Sequence, residues 1–535
     1  MLFSVAALNL KPVDYSILVV FIVFMILVGI SLKKGNTTSE HFLLAGRKIP
    51  MWITGIAFIS ANVSALELLG MSASAAEYGF LTFHFYFLGA IPGMIFLGIF
   101  MMPFYYNSKI RSVPEYLKLR YNKPTHLLNS TTTLLSLILG AGIYLYSMSL
   151  VFEVIMGWDR NFSIFFSAVV VLVYVYFGGL SSSIYTEVIQ FFLTIFGLFP
   201  LVMIGIVNSG GWSGLLAQLP ESHIHVWKLL PNGNNPLGWD LVSVVFGLGF
   251  VLSFSYWTCG FTEVQRAMAA KDYRSARLTP IIGAFFKIFL PFLILTPGLV
   301  ALVQFPNELG TEYNKSILIL LKNYYPNGIL GLGATAILAA FMAGMSSSIT
   351  ALNTVFTYDL YHNYIKPSAN DKELLSVGKI CTGASILLAI FCSFIAMQFS
   401  NIMNYIQLLF SFFNSPLVAL FLLGMFWKRA TPYSAFFGLL LGTTAGIGHY
   451  LLVQTNVLVY KTVMVSNFYG AIASGFTTFL VMILLSFVTK PKPVSELYGL
   501  LYETRDQSLV FWDRTVIRYG VILLGVVVLV NIFLW

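Results

Sequence analysis

Three adjacent serines, Ser346 to Ser348, lie in a long apolar segment, shortly after Ala343 and Gly344. Hydroxyl side chains at such a position have two interpretations. Small residues let helices approach closely, and serine hydroxyls bond back to carbonyls of their own helix, which is a packing role. A cluster of hydroxyl oxygens is also suited to holding a cation. Other features of the sequence are needed to distinguish a role in helix packing from an ion site.

Charged and polar side chains interrupt other apolar segments as well. Each ionisable one costs about 2.5–3.5 kcal/mol at the centre of a membrane helix, so it is a functional candidate by default. Lys287 is too deep in its segment for its side chain to reach the interface, and it needs an acidic or hydroxyl partner, for which Glu67 is one candidate. The residues concerned are Asn62, Glu67, Glu153, Glu187, Lys287 and Gln407.

The overall composition is that of a membrane protein. Of the 535 residues, 58% are hydrophobic and 10% are charged, and the mean hydropathy is +0.83. Soluble domains carry about 25% charged residues. Apolar runs long enough to cross a hydrocarbon core of about 30 Å recur along the chain. They predict a single all-α polytopic domain with fourteen spans, at about 13–33, 49–77, 79–104, 127–156, 161–178, 182–208, 238–263, 278–305, 326–361, 375–398, 402–426, 432–453, 463–489 and 516–534.

The net charge of +9 indicates topology rather than nucleic-acid binding. If alternate loops share a side, one side holds most of the 30 Lys and Arg residues, and that side is then cytoplasmic. This predicts a multi-pass protein of the plasma (inner) membrane with both termini extracytoplasmic. No phosphate-binding glycine loop, HExxH motif or Cys/His cluster occurs, so nothing in the sequence supports ATP-driven pumping or enzymatic chemistry.

Two predicted spans contain polar stretches typical of an interrupted helix. They are SANVSALE (60–67) in the second span and SFSYWTCG (253–260) in the seventh. Non-helical backbone at membrane depth is tolerated where it lines a cavity, and paired breaks in the two halves of a transporter mark its binding site. Because the breaks lie five spans apart, we predict a 5+5 inverted repeat over about 49–208 and 238–426. One helix precedes it (about 13–33) and three follow it (about 432–534).

Several segments resemble a known family, and they occur in that family's order. They are HFLLAGRKIPMWITGIAFISANVSALELLGMS (41–72), VPEYLKLRY (113–121), FGGLSSSIYTEVIQ (177–190), YWTCGFTEVQRAMAAKD (256–272), FTYDLY (356–361) and YIQLLFSFFNSPLVALFLLGMFWKR (405–429). In these segments the chain resembles the sodium/solute symporter family, and most of all its sodium/glucose branch. The resemblance implies a LeuT-type fold, and sodium-coupled symport of a small polar solute by alternating access.

The resemblance also implies a solute site between the first and sixth core helices. Hydroxyl groups both donate and accept hydrogen bonds, and an apolar sugar face stacks on an aromatic ring, so such a site suits a sugar or sugar derivative. Tyr86 departs from the sugar branch, which has a sugar-binding glutamate there; Glu67 on the neighbouring helix is the candidate to supply that carboxylate. The matching positions are Asn62, Glu67, Tyr86, Ser253, Tyr256, Trp257, Lys287 and Gln407.

The family's common sodium site combines backbone carbonyls with two adjacent hydroxyl residues. Its carbonyl positions match Ser60, Val63 and Ala340 in this chain. Its hydroxyl pair falls on Ala343 and Gly344, which have no hydroxyl group. Three carbonyls alone make a poor sodium site unless water or other groups complete it.

Ser346 and Ser347 lie about one helical turn beyond that pair, on roughly the same face. By resemblance, some family members bind a second sodium at these displaced positions together with an aspartate, whose place is taken here by Glu187. We therefore predict sodium as the coupling ion and no other cofactor, with the ion bound either at a displaced site formed by Ser346, Ser347 and Glu187 or at a carbonyl- and water-based version of the common site. The alternatives are a proton on Glu187, since burial raises a carboxyl pKa, or an uncoupled uniporter or sensor.

Overall fold

The computed structural model describes residues 10–31, 38–228, 230, 235–504 and 512–535. A chain surrounded by hydrocarbon must satisfy its backbone groups internally, and helices achieve this within one segment. Within the described ranges the structure is helical, with one isolated bridge between Ile49 and Ala270. The main helices are α1 (Pro12–Ser31), α2 (Met51–Asn62), α3 (Ala65–Tyr78), α4 (Phe85–Asn107), α5 (Lys123–Met156), α6 (Arg160–Asn208), α7 (Ser243–Cys259), α8 (Phe261–Met268), α9 (Tyr273–Gln304), α10 (Ile329–Ile365), α11 (Asp371–Ala396), α12 (Ile402–Phe413), α13 (Ser415–Phe426), α14 (Pro432–Gln454), α15 (Val463–Val488) and α16 (Arg514–Phe533).

Short helices connect these elements. In the described ranges, nine helices are long and apolar enough to cross a membrane, and three bent pairs raise the number to twelve. Two shorter apolar stretches, Pro12–Val28 and Arg160–Val173, coincide with the first and fifth predicted spans, so the count of fourteen stays a prediction. The predicted end of the first span, at residue 33, lies outside the described residues. The connecting helices are Ser39–Leu44, Ala45–Arg47, Gly79–Phe83, Val113–Arg120, Gly211–Gln218, Glu221–Ile224, Pro306–Leu309, Tyr313–Lys315, Ser316–Tyr324 and Val494–Leu497.

Both predicted helix breaks are present. Helices α2 and α3 meet at an angle of 55°, and α7 and α8 meet at 41°. At the first break, the N–H of Ser64 bonds to the carbonyl of Asn62 at 2.7 Å. In a continuous helix it would bond to the carbonyl of Ser60. At the second break, a side chain on Gly260 would meet the carbonyl oxygen of Tyr256, so this close approach requires glycine.

A third break, which was not predicted, lies within the span expected over 402–426. Helices α12 and α13 meet at 42° around Asn414. Pro416 lies at the start of α13 and lacks the N–H that would continue the hydrogen bonding of α12. The backbone carbonyl of Asn414 accepts hydrogen bonds from the N–H of Leu417 at 2.9 Å and from the hydroxyl of Ser255 at 2.5 Å. This contact ties the third break to α7.

Two further features bear on the predicted span boundaries. A kink within α6 agrees with one boundary, and the end of α8 differs from another. Within α6, Gly179 has φ 58°, and a side chain there would lie 2.7 Å from the ring of Phe42. This kink separates the predicted spans 161–178 and 182–208. Helix α8 continues to Met268, beyond the predicted end of the seventh span at residue 263. The correction matters because the continuation carries Arg266, which is fully buried.

Helix α10, which carries the serine run, lies in the interior of the bundle. It packs on α6, α5 and α1, and it also contacts α2, α3 and α8. Small residues allow the close approach: a side chain on Gly197 of α6 would lie 2.5 Å from the Cβ of Ala336 on α10. Ser346, Ser347 and Ser348 are all buried. The serine run is therefore positioned to face other core helices rather than lipid.

Candidate solute and cation sites

A cavity of about 160 Å³ lies between the breaks of α2–α3 and α7–α8. This is on the order of ten times the space that one water needs, which is room for a small solute. Ser64, Ser136, Tyr144 and Asn414 contribute polar groups to its wall. The structure brings all the residues predicted for solute binding to this one wall: Asn62, Glu67, Tyr86, Ser253, Tyr256, Trp257, Lys287 and Gln407.

A chain of hydrogen bonds crosses the cavity wall. The ammonium of Lys287 forms an ion pair with Glu67 and donates to Oδ1 of Asn62 at 2.5 Å. The side-chain amide of Asn62 donates to the hydroxyl of Tyr256 at 3.1 Å, and that hydroxyl donates to Glu263. Lys287 is 1% exposed, so the acidic partner that its depth required is Glu67, as the sequence suggested.

Aromatic rings enclose the same groups. The ammonium of Lys287 lies 4.6 Å from the ring centre of Tyr86 and 5.4 Å from that of Trp257, within the range of cation–π attraction. The ring of Tyr256 stacks on Phe410 at 4.9 Å with 25° between the planes. Its hydroxyl is held by Asn62 and Glu263, so the ring is fixed at both ends. The wall therefore offers polar groups and ring surfaces in defined positions.

Glu263 is a cavity residue that sequence reasoning missed. It lies three residues after the break at Gly260 and is 1% exposed. One carboxylate oxygen accepts from Tyr256, whereas Oε2 has no hydrogen-bond partner in the described structure. The available signal was its position: the predicted span ended at residue 263, and a carboxylate directly after a helix break is expected to face the cavity.

The backbone around the first break has the carbonyls expected of a sodium site. The carbonyl of Ser60 loses its helical donor, as described above, and the N–H of Glu67 bonds to the hydroxyl of Ser64 rather than to the carbonyl of Val63. Ala340 is buried on α10, one turn before Gly344. The break therefore frees two of the three predicted carbonyls, while α10 packs against it.

The two positions without hydroxyls are closely packed. A side chain on Gly344 would lie 2.6 Å from the ring of Tyr144 and still closer to the Cβ of Ser64. The carbonyl of Ala343 accepts hydrogen bonds from the hydroxyls of Ser346 and Ser347, at 3.1 and 2.7 Å. In this conformation α10 therefore leaves no room at position 344 for the family's hydroxyl group.

Introducing that hydroxyl is expected to destabilise the protein rather than to improve sodium binding. Overpacking of this kind costs about 1–3 kcal/mol. We expect Gly344→Ser to lower both the melting temperature in detergent and the rate of sodium-driven uptake. The matched control is Gly383→Ser on α11, where a side chain would meet no atom within 4 Å. A stable Gly344→Ser variant that needs less sodium would contradict the packing argument.

The predicted displaced cation residues also converge, but around an arginine. Glu187 Oε1 accepts hydrogen bonds from the hydroxyls of Ser183 at 2.5 Å and Ser347 at 2.8 Å. The guanidinium of Arg266 donates to the same oxygen at 2.6 Å and to Oε2 at 3.2 Å. Ser346 joins the cluster through Ser183, with their hydroxyl oxygens 3.1 Å apart. Both charged side chains are fully buried.

Arg266 therefore supplies a cation where the sequence predicted a free ion. Its guanidinium also donates to the hydroxyl of Ser347 at 2.8 Å. Every observed partner of the Glu187 side chain donates to its carboxylate. Sequence reasoning missed Arg266 because the residue was assigned to a loop. Arg266 lies three residues after the cavity residue Glu263 on one short helix, and this spacing alone did not indicate that it is buried.

Glu153 and Ser348 do not belong to the cluster around Arg266. Glu153 pairs with Arg160 at 2.5 Å, and both side chains are about one-third exposed, as expected for an interface position. Ser348 faces away from Glu187: its hydroxyl donates to the carbonyl of Leu137 at 3.3 Å, and it lines the solute cavity. The serine run thus divides between two places. Ser346 and Ser347 belong to the arginine cluster, which is formed by Arg266, Glu187, Ser183 and these two serines, and Ser348 lines the cavity.

Interrupted helices around a central polar cavity, in an all-helical membrane bundle, are the arrangement that the resemblance to a LeuT-type fold implies. The family model for the sodium:solute symporter family matches residues 42–442, and the chain belongs to this family. The fold is similar to that of a Na⁺-coupled sialic acid symporter, with a TM-score of 0.74 and 20% identity over 90% of this chain and 99% of that one. A nucleobase-cation-symport-1 family transporter is more distant, with a TM-score of 0.51 and 12% identity over 86% and 97%.

Relatives with similar sequences are named as sodium cotransporters of glucose and of myo-inositol. A sodium/glucose cotransporter of Vibrio parahaemolyticus is 28% identical over 456 residues, which cover 80% of this chain and 83% of that protein. A sodium/myo-inositol cotransporter 2 of Mus musculus is 27% identical over 488 residues, or 83% and 71% of the two chains. Family and relatives together support a sodium-coupled symporter with a multi-pass membrane location.

Proposed function

We propose that this protein couples the downhill movement of sodium to the uptake of a small polyhydroxylated solute, a sugar or sugar derivative, by alternating access. The observation that carries the proposal is the cavity wall on which Asn62, Lys287, Tyr256 and Trp257 converge. An amide, an ammonium and a phenol offer donors and acceptors for hydroxyl groups, and the indole offers a face for an apolar ring surface. The sodium/glucose and sodium/myo-inositol relatives support this solute class.

The proposed solute contacts are Asn62, Glu67, Tyr86, Ser253, Tyr256, Trp257, Lys287 and Gln407. Gln407 reaches the cavity from α12, whereas Lys287 and Glu67 reach it from α9 and α3. Gln407 is 4% exposed. Tyr256 is fixed between Phe410, Asn62 and Glu263, so it presents its ring and hydroxyl without a large loss of side-chain freedom on binding. Preorganised groups of this kind suit a solute whose hydroxyl pattern must be recognised.

For sodium we propose the carbonyls at the α2–α3 break as the binding position. Ser60 and Val63 supply freed carbonyls there, and Ala340 on α10 is the third candidate. The hydroxyl of Ser60 donates to the carbonyl of Glu187 at 2.7 Å, which connects this position to the arginine cluster. In that cluster, Glu187, Ser346 and Ser347 surround Arg266, so a second sodium would have to displace the guanidinium.

We also propose a plasma (inner) membrane location with both termini extracytoplasmic, because most Lys and Arg residues then lie on the cytoplasmic side. The ends of α2 and α8 predicted to face the cytoplasm are joined by backbone hydrogen bonds. Ile49 donates to Ala269 at 3.2 Å, and Lys271 donates to Ile49 at 3.0 Å. Opening towards the cytoplasm would have to break or carry along this connection.

The direct test is solute uptake into proteoliposomes that contain the purified full chain. We expect labelled glucose or myo-inositol to accumulate under an inward sodium gradient and not when potassium replaces sodium. Accumulation driven equally well by an inward pH gradient without sodium would contradict sodium coupling. Downhill equilibration with no accumulation in any gradient would indicate a uniporter instead.

The solute site has its own test in Gln407→Leu. Loss of one hydrogen bond to a solute hydroxyl is expected to raise KM about 5- to 10-fold. The melting temperature should change little, because Gln407 belongs to neither buried ion pair. Gln304→Leu, at the end of α9, is the matched control and should leave KM unchanged. An unchanged KM in Gln407→Leu would remove this residue from the proposed contacts.

A further inference from the structure

The charges on the cavity wall do not balance. Of the described residues that line it, three are charged: Glu67, Glu263 and Lys287. Lys287 is paired with Glu67. In the described part of the chain, Glu263 forms no ion pair, and the nearest cation along its own helix, Arg266, is bonded to Glu187. With both carboxylates ionised, the cavity wall therefore has one excess negative charge.

The hydrogen bonds around Glu263 favour the ionised form. Donation runs in one direction, from the ammonium of Lys287 to Asn62, from the amide of Asn62 to Tyr256, and from the hydroxyl of Tyr256 to Glu263. At the end of this chain the carboxylate is the acceptor, and it needs no proton to complete the pattern. Among the described residues, its second oxygen, Oε2, is buried without a hydrogen-bond partner, as is Oε2 of Glu67. Such an oxygen is costly to bury unless something in the cavity binds it.

Resting on the proposed transport function, we propose that Glu263 binds a cationic group of the solute and that the preferred solute is a polyol carrying an ammonium group, such as an amino sugar. The ammonium of the solute supplies the missing positive charge and donates to Oε2 of Glu263. The aromatic faces of Tyr86 and Trp257, which already lie within cation–π distance of Lys287, complete an environment suited to positive charge. Glu263 is then a specificity-determining residue.

Glu263 connects a cation bound at its carboxylate to other proposed solute contacts, because it is hydrogen-bonded to Tyr256. Its other oxygen holds the hydroxyl of Tyr256, which also accepts from Asn62 next to the α2–α3 break. A cation at Oε2 therefore acts on the same hydrogen-bonded chain that includes the proposed solute contacts. A neutral sugar fills the same volume but leaves the carboxylate unpaired, and this difference is the source of the expected discrimination.

The test compares glucosamine, N-acetylglucosamine and glucose as solutes, at a pH below the pKa of the glucosamine amine. Proteoliposomes with the full chain are driven by a sodium gradient. We expect the wild-type KM for glucosamine to be about 10- to 100-fold lower than for the two neutral sugars, as for a charge-assisted hydrogen bond. Glu263→Gln should raise the KM for glucosamine by a similar factor and so remove the preference for glucosamine over glucose, because glutamine still accepts from Tyr256 but carries no negative charge.

The control and the opposite outcomes are well defined. Glu153→Gln removes a carboxylate outside the cavity and should preserve the preference for glucosamine. A wild-type preference for glucose, or an unchanged preference in Glu263→Gln, would overturn the proposal. An unchanged preference combined with a higher sodium concentration for half-maximal uptake would show instead that Glu263 serves the sodium ion.

A binding measurement separates this inference from the proposed function. If no sugar accumulates with sodium, the proposed symport function fails, and the melting temperature in detergent then tests Glu263 on its own. Glucosamine should raise the melting temperature of the wild type and not that of Glu263→Gln, and glucose should raise neither as much. Equal stabilisation of both proteins by glucosamine would overturn the role of Glu263. The same measurement without solute checks that the variant is folded.

Discussion

Lys287→Met is expected to abolish sodium-driven uptake and to destabilise the protein by about 3–5 kcal/mol, the usual effect of breaking a buried ion pair. The substitution leaves Glu67 with an unpaired carboxylate, because the ammonium of Lys287 is its only ion-pair partner in the described chain. It also removes the first donor of the chain that runs through Asn62 to Tyr256. Both effects fall on residues of the solute cavity.

Uptake in proteoliposomes and the melting temperature in detergent measure the two effects separately. The double variant Glu67→Gln/Lys287→Met removes both charges, so much of the lost stability should return while uptake stays low. Lys322→Met is the control, because Lys322 pairs with Glu308 at a partly exposed site where a pair is worth about 0–1 kcal/mol. Normal uptake by Lys287→Met would remove the ion pair from the proposed mechanism.

Breaking the second buried pair, between Glu187 and Arg266, is expected to have a stability effect of the same size. Both side chains are fully buried, and the guanidinium donates to both carboxylate oxygens. Glu187→Gln leaves a buried guanidinium without a counter-ion, and Arg266→Gln leaves a buried carboxylate. Each single substitution should cost about 3–5 kcal/mol, and the double substitution should cost less than either.

The double variant Glu187→Gln/Arg266→Gln also locates the coupling ion. If sodium binds at the α2–α3 break, as proposed, the double variant should retain sodium-dependent uptake. Loss of sodium dependence with solute transport preserved would place the ion at Glu187 instead. In Arg266→Gln, we expect the sodium dependence to become steeper, because the unpaired carboxylate, with Ser183 and Ser347, then attracts a cation. An unchanged sodium dependence in that variant would contradict an ion site at Glu187.

The helical fold and two of its breaks were predictable because they depend on local composition. Apolar runs of sufficient length predict spans, and the polar stretches at 60–67 and 253–260 predict interruptions. The third break, at Asn414, was missed because its signal, Asn414-Ser415-Pro416, is short and lies within a largely apolar run. The residues predicted for the solute site line one cavity, since family order and spacing assign them to helices that meet there.

Arg266 was missed because its surroundings depend on a distant part of the chain. Glu187 and Arg266 are 79 positions apart, and nothing near either residue in the sequence indicates the other. Glu263 became a cavity residue only because α7 ends at Gly260 and α8 begins in a new direction. Hydropathy and helix-breaking residues act over one or two turns, so the sequence alone specifies spans and breaks. The partners of buried charges are set by how the helices pack, and that packing placed Arg266, rather than a free ion, beside Ser346 and Ser347.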